Sequence, residues 1–185
     1  FNLVKNIFEK PEDQNILIVG AGSLAHAVIK NLFKNGIKNI RAVNRNIREI
    51  VISDEYKVIP ASLEKLHDEL EDADIVIASA TTDLPLIGKG AVENALKLRK
   101  NKPMLLIDLS VPRNIEEEIK NIEQAYLFSI DDIEKITQDN YGQRSIEAEK
   151  ALLALRAGQD PEDIVRSLAR NLTNKLLHAP SRKLK

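Results

Sequence analysis

The chain has no cysteine and no tryptophan among its 185 residues, a single methionine, and only 4% aromatic residues. Without cysteine these residues hold no disulfide framework, no thiolate zinc site and no thiol nucleophile. The same absence fits a reducing compartment. A surplus of charge is also missing: 27 Lys and Arg face 28 Asp and Glu. Bulk charge therefore marks neither a nucleic-acid groove nor a basic membrane surface. No apolar run approaches the ~20 residues of a membrane helix. The opening Phe1-Asn2-Leu3-Val4-Lys5 lacks the basic-then-apolar order of a signal peptide. Together these absences predict a cytoplasmic protein without membrane contact. A starting methionine is missing too, which points to a processed protein or a piece of a longer one.

What is present is length and apolar content. At ~150 residues per domain the chain amounts to roughly 1.2 domains, one domain plus an appendage, and 43% hydrophobic residues are enough for a sizeable core. Short β-branched runs alternate with helical segments. Ile16-Leu17-Ile18-Val19, Ile40-Arg41-Ala42-Val43, Tyr56-Lys57-Val58-Ile59, Ile75-Val76-Ile77-Ala78, Met104-Leu105-Leu106-Ile107 and Ala125-Tyr126-Leu127-Phe128 are six candidate strands. Near-continuous apolar runs of this length indicate strands covered on both faces, as in a parallel sheet. Between the first two runs, Leu24, Val28, Leu32 and Phe33 form one helical stripe, closed by Gly36. Right-handed crossovers then make a doubly wound α/β sheet the economical topology.

The remaining segments are helical in pattern. Residues 1–13 read as a short amphipathic helix through Leu3, Val4, Ile7 and Phe8. Residues 14–130 are expected to form the doubly wound α/β domain and 131–185 an all-helical region. In that region Ile133, Ile136, Ile146, Ala151, Leu152 and Leu155 make an irregular stripe, broken at Gly158-Gln159-Asp160-Pro161. Asp160 as N-cap and Pro161 at the first helical position start another helix, in which Ile164, Leu168, Leu172 and Leu176 recur every four residues.

Gly20-Ala21-Gly22-Ser23-Leu24-Ala25 follows the first strand and opens the first helix. This is the GxGxxG/A pattern, with room for a tight turn at Gly20, close approach of a pyrophosphate at Gly22 and helix–sheet packing at Ala25. The helix N-terminus offers N–H groups and partial positive charge to phosphates. Packing alone would also explain small residues here. The second strand ends Val43-Asn44-Arg45-Asn46, with no acid until Glu49. An NAD site usually places an acid near this point. Asn44 can instead bond the ribose, and Arg45 with Arg48 can pair with a 2′-phosphate, which favours NADP. Both arginines also suit a solvated helix start. Ser79, Ala80 and Thr81 end the fourth strand, as a wall beside the nicotinamide ribose or as a plain polar loop. Asp108 and Arg113, flanking Pro112, either face the cleft or form a structural ion pair. His26, His67 and His178 have no metal-ligand spacing, no acid/base dyad or Ser–His–Asp set is defensible, and no catalytic residue is assigned.

Several stretches resemble glutamyl-tRNA reductase. Ile18-Val19-Gly20-Ala21-Gly22, Val43-Asn44-Arg45 and Asp74-Ile75-Val76-Ile77-Ala78-Ser79 are similar to its NADP-binding domain. Asp108-Leu109-Ser110-Val111-Pro112-Arg113-Asn114-Ile115 resembles the family's "DIAVPRDI". Tyr126-Leu127-Phe128-Ser129-Ile130-Asp131-Asp132-Ile133 resembles "YLYDIDDL", and Leu172-Thr173-Asn174-Lys175-Leu176-Leu177-His178-Ala179-Pro180 resembles "LVNKLLHAP". Shikimate dehydrogenase shares the glycine turn and the Asn-Arg pair but not the last three stretches. The resemblance implies an enzyme that reduces glutamyl-tRNA with NADPH to glutamate-1-semialdehyde in tetrapyrrole synthesis. It implies pyrophosphate binding at residues 20–25 and adenosine 2′-phosphate binding at Asn44 and Arg45. The family's cysteine nucleophile lies in an N-terminal domain that would precede residue 1, so this chain alone is expected to be inactive. The resemblance also implies a homodimer through C-terminal helices, although the stretch around residues 148–157 looks shortened. A self-contained shikimate-dehydrogenase-type oxidoreductase and a non-catalytic dinucleotide-binding module are the alternatives.

Overall fold

The computed structural model describes residues 4, 8–50, 56–135, 149, 150, 153, 160, 163 and 167. The chain divides into two compact units, Phe1–Ile130 and Asp131–Lys185.

The first unit is built on a six-stranded parallel sheet of order β3-β2-β1-β4-β5-β6. The strands are β1 Ile16–Val19, β2 Ile40–Asn44, β3 Val58–Ser62, β4 Ile75–Ala78, β5 Met104–Asp108 and β6 Ala125–Ser129. The expected doubly wound α/β fold is borne out. Every residue of β1, β4 and β5 is buried, the signature of strands covered on both faces. Three helices cross between strands: α1 Ser23–Lys34, α2 Leu66–Asp72 and α3 Lys89–Leu98.

Two local expectations shift. The third strand starts two residues later than the Tyr56 run suggested. The Tyr56 ring packs against Phe33 at 5.0 Å between centroids, while the strand continues through Pro60 to Ser62. Proline, having no N–H to donate, fits this sheet-edge position, and Ile59 beside it is 56% exposed. In α1 the buried stripe is Ala25, Ile29 and Leu32, whereas Leu24 is 43% exposed. The i, i+4, i+7 spacing from Ala25 faces the sheet, and each large apolar side chain there contributes about 1.5–3 kcal/mol. Of the expected N-terminal helix, Val4 is helical and buried and its carbonyl accepts from the Phe8 N–H at 2.9 Å; Leu3 and Ile7 lie outside the described residues.

The N-terminal edge of the sheet is held by charge. Arg99, 8% exposed, places Nη2 2.5 Å from Asp74 Oδ1 and Nη1 3.3 Å from the Glu71 carbonyl. Asp74 accepts from the Asn15 N–H through its other oxygen at 3.0 Å. Arg41 on β2 meets Glu69 on α2 at 2.7 Å. That hydrogen bond, with the carboxylate's charge, holds the guanidinium above its ordinary range.

Of the second unit, residues 131–135, 149, 150, 153, 163 and 167 are helical. Asp160 is non-helical, as an N-cap should be. The apolar positions Ile136, Ile146, Ala151, Leu152, Leu155, Ile164, Leu168, Leu172 and Leu176 lie outside the described residues, as do Pro161 and His178.

Candidate dinucleotide-binding site

Parallel pairing aligns the carboxyl ends of the strands: Val19 stands beside Val43 and Ala78, and Ala78 beside Asp108. Ligands in open α/β sheets bind along this edge, where the strand order reverses. Here the reversal falls between β1 and β4. A cleft of about 630 Å³ opens there, lined by Gly20, Ala21, Gly22, Asn44, Arg45, Asn46, Glu49, Ser79, Ala80, Thr81, Thr82 and neighbouring apolar residues. A second hollow of about 540 Å³ sits at the opposite strand ends, among Asn15, Lys38, Asn39 and Asp72, away from that ligand-binding edge.

The glycine turn has two different jobs. Gly20 has φ +113°, and a Cβ there would stand 3.0 Å from the Ala80 nitrogen and the Ser79 carbonyl carbon. Its missing side chain lets β1 and β4 close together at their ends. Gly22 has φ −73°, and nothing lies within 4 Å of where its Cβ would be. That open position faces the start of α1, whose first turn carries no acidic residue and no side-chain cap. Uncapped N–H groups and an unfilled cradle fit a pyrophosphate. Ser23 and Leu24 are exposed in this turn, while Ala25 is buried against the sheet.

At the end of β2, Asn44 is half-buried and Arg45 and Arg48 are exposed. Arg45 lines the cleft and Arg48 does not. Neither forms an ion pair among the described residues. The sequence places Glu49 too far along for an acid at the strand end, yet the fold returns it there. Asn46 caps a 3-10 turn, Ile47–Glu49, by accepting from the Arg48 N–H. The turn carries the Glu49 carboxylate back to Asn44 Nδ2 at 2.9 Å and Asn46 Nδ2 at 3.1 Å.

At β4 the Ser79 N–H donates to the Val19 carbonyl at 2.8 Å, and Thr81 is exposed at the cleft. Beyond β5, Asp108 takes neither of the roles expected for it. It is 2% exposed and accepts three backbone N–H groups, from Ser110 at 3.0 Å, Asn114 at 2.8 Å and Ile115 at 2.9 Å. It is the internal anchor of its own loop. Arg113 instead pairs with Glu117 at 3.2 Å. Sequence reasoning also missed Asn114, wholly buried, whose side chain joins this loop to the one after β4. His26 places Nδ1 2.9 Å from the Gly22 carbonyl, and His67 is exposed. No group of acids and histidines suited to a metal ion occurs among the described residues.

The family model for shikimate / quinate 5-dehydrogenase matches residues 2–136. The chain belongs to this family. A second model, the dimerisation domain of glutamyl-tRNAGlu reductase, matches residues 112–185. Glutamyl-tRNA reductase of Aliivibrio fischeri (strain MJ11) is 36% identical over 222 residues, covering 97% of this chain and 53% of the relative. That of Pseudoalteromonas translucida is 35% identical, covering 98% and 54%. Among solved structures, glutamyl-tRNA reductase from Methanopyrus kandleri aligns with a TM-score of 0.71 at 26% identity, covering 94% of this chain and 42% of that one. The nucleotide-binding domain of the Thermoplasma volcanium enzyme has a TM-score of 0.58 at 20% identity, covering 78% and 95%. The resemblance to glutamyl-tRNA reductase drawn from the sequence is thereby borne out: a shikimate-dehydrogenase-type nucleotide-binding domain is followed by that enzyme's dimerisation domain. The chain spans about half the length of the curated relatives it matches. The fold and these relatives imply a nicotinamide cofactor, and the dimerisation domain suggests self-association. No helix of the described residues is long and apolar enough to cross a membrane.

Proposed function

We propose that the chain is the NADPH-binding and dimerisation part of a cytoplasmic glutamyl-tRNA reductase acting in tetrapyrrole synthesis. The observation that carries this reading is the single cleft that joins Gly20–Gly22 at β1 to Asn44–Arg45 at β2. Gly22 and the N–H groups of Ser23, Leu24 and Ala25 would hold the pyrophosphate. Asn44 would bond the adenosine ribose, and Arg45, with Arg48 nearby, would pair with the 2′-phosphate. Ser79, Ala80 and Thr81 would border the nicotinamide ribose. The bound cofactor would supply a hydride. The nucleophile would come from outside these residues, because none of the 185 is cysteine. The isolated chain would therefore bind cofactor without reducing glutamyl-tRNA, and would associate as a homodimer.

Titration with NADPH and NADH, read by nicotinamide fluorescence, tests the proposal. NADPH is expected to bind, and Arg45→Ala is expected to weaken it by about tenfold, the scale of one lost charge-assisted pair, with NADH spared. Failure to bind either cofactor would refute the reading. The model match over residues 2–136 favours one rival, a self-contained shikimate-type oxidoreductase; reduction of NADP by shikimate or quinate in the presence of this chain would establish it.

A further inference from the structure

The Glu49 carboxylate is held at both oxygens by side-chain amides, Asn44 Nδ2 at 2.9 Å and Asn46 Nδ2 at 3.1 Å. Asn44 is the last residue of β2 and also donates to the Asn46 carbonyl at 3.1 Å. An exposed glutamate has no need of such a clamp for its own solvation, since water would serve it as well. The clamp puts a negative charge at the end of β2, within the cleft that Arg45 also lines. This is the point where a dinucleotide presents the 2′ position of its adenosine ribose.

We propose that Glu49 is a specificity-determining residue which stands in for the 2′-phosphate and sets how strictly the site prefers NADPH to NADH. The inference rests on the reading of the cleft as a nicotinamide-dinucleotide site. A 2′-phosphate brings about −1.5 to −2 charge and must displace the carboxylate before Asn44 and Arg45 can serve the phosphate oxygens. A 2′-hydroxyl is a donor, and the carboxylate that Asn44 already positions can accept from it. One residue therefore favours NADH and opposes NADPH, while Arg45 does the reverse. The five-residue separation of Glu49 from Asn44 is bridged by the Asn46-capped turn, which makes this acid equivalent in place to the one that NAD sites carry on the strand itself.

The test is cofactor titration of the full 185-residue chain and of Glu49→Gln and Glu49→Ala, with circular dichroism to verify folding. Glutamine keeps the shape and removes the charge; alanine removes both. The expected result is that both variants bind NADPH more tightly and NADH more weakly, moving the ratio of dissociation constants by about tenfold toward NADPH. A ratio within about twofold of wild type in both variants overturns the proposal. Equal weakening of both cofactors also overturns it, because Glu49 would then only hold the turn. Wild-type chain that binds neither cofactor instead refutes the underlying reading, and is seen before any variant is compared.

Discussion

Asn114 donates from Nδ2 to Thr82 Oγ1 across 2.7 Å, joining two loops that are 32 residues apart in sequence. Its Oδ1 accepts from Ser110 Oγ at 2.7 Å, its N–H reaches Asp108, and its carbonyl accepts from Leu86 and Ile87. The residue is wholly buried and every polar group on it has a partner. The loops after β4 and β5 are therefore one body beside the cleft, which Thr82 and Leu86 line.

Asn114→Ala would strand the Ser110 hydroxyl and take a donor from Thr82. Each buried group left unpaired costs about 1–3 kcal/mol, so a loss of about 2 kcal/mol in urea unfolding is expected. Because Thr82 lines the cleft, NADPH affinity should fall as well. A variant as stable as wild type would show that the two loops hold together without this link.

The Asp74–Arg99 pair behaves differently, since its side chains are only 18% and 5% exposed. Asp74→Ala would leave the guanidinium buried beside carbonyl groups, with Arg99 Nε already lacking a partner. Removing one partner of such a pair costs about 3–5 kcal/mol. Arg99→Met should cost less than Asp74→Ala, because the methionine restores apolar packing and Asp74 keeps the Asn15 N–H and some solvent. Thermal unfolding of the two variants decides this, and equal losses would argue that packing rather than stranded charge dominates.

Residues 1–130 contain all six strands and the whole cleft. A chain ended after Ile130 should fold cooperatively and bind NADPH as the full chain does. It should also be monomeric by light scattering, where the full chain is expected to dimerise, since the dimerisation match begins at residue 112 and extends to 185. Loss of cofactor binding on this truncation would mean that the second unit contributes to the site.

How far the sequence spoke depends on the range of the interaction. β1, β4 and β5 were legible because strands buried on both faces leave unbroken apolar runs. The edge strand β3 was misplaced by two residues because exposure and Pro60 weaken that pattern. The glycine turn was legible because it is local. Glu49 was hidden, since only a 3-10 turn capped by Asn46 brings it back to Asn44. Asp108 was read as a cleft residue or an ion-pair partner, because nothing local shows a carboxylate turning inward to gather three N–H groups of its own loop.

The two glycines of the turn should separate folding from binding. At Gly20 an added methyl meets the Ala80 and Ser79 backbone at 3.0 Å and must also adopt φ +113°. Backbone cannot swing aside as a side chain can, so Gly20→Ala should cost about 2–3 kcal/mol of stability. At Gly22 the φ of −73° suits alanine and the methyl meets nothing. Gly22→Ala should therefore melt at or slightly above the wild-type temperature, because alanine narrows the unfolded ensemble. Its methyl nonetheless points where the pyrophosphate would lie, so NADPH binding should weaken by about tenfold or more. A Gly22→Ala chain that keeps both its stability and its affinity would remove the pyrophosphate from this turn.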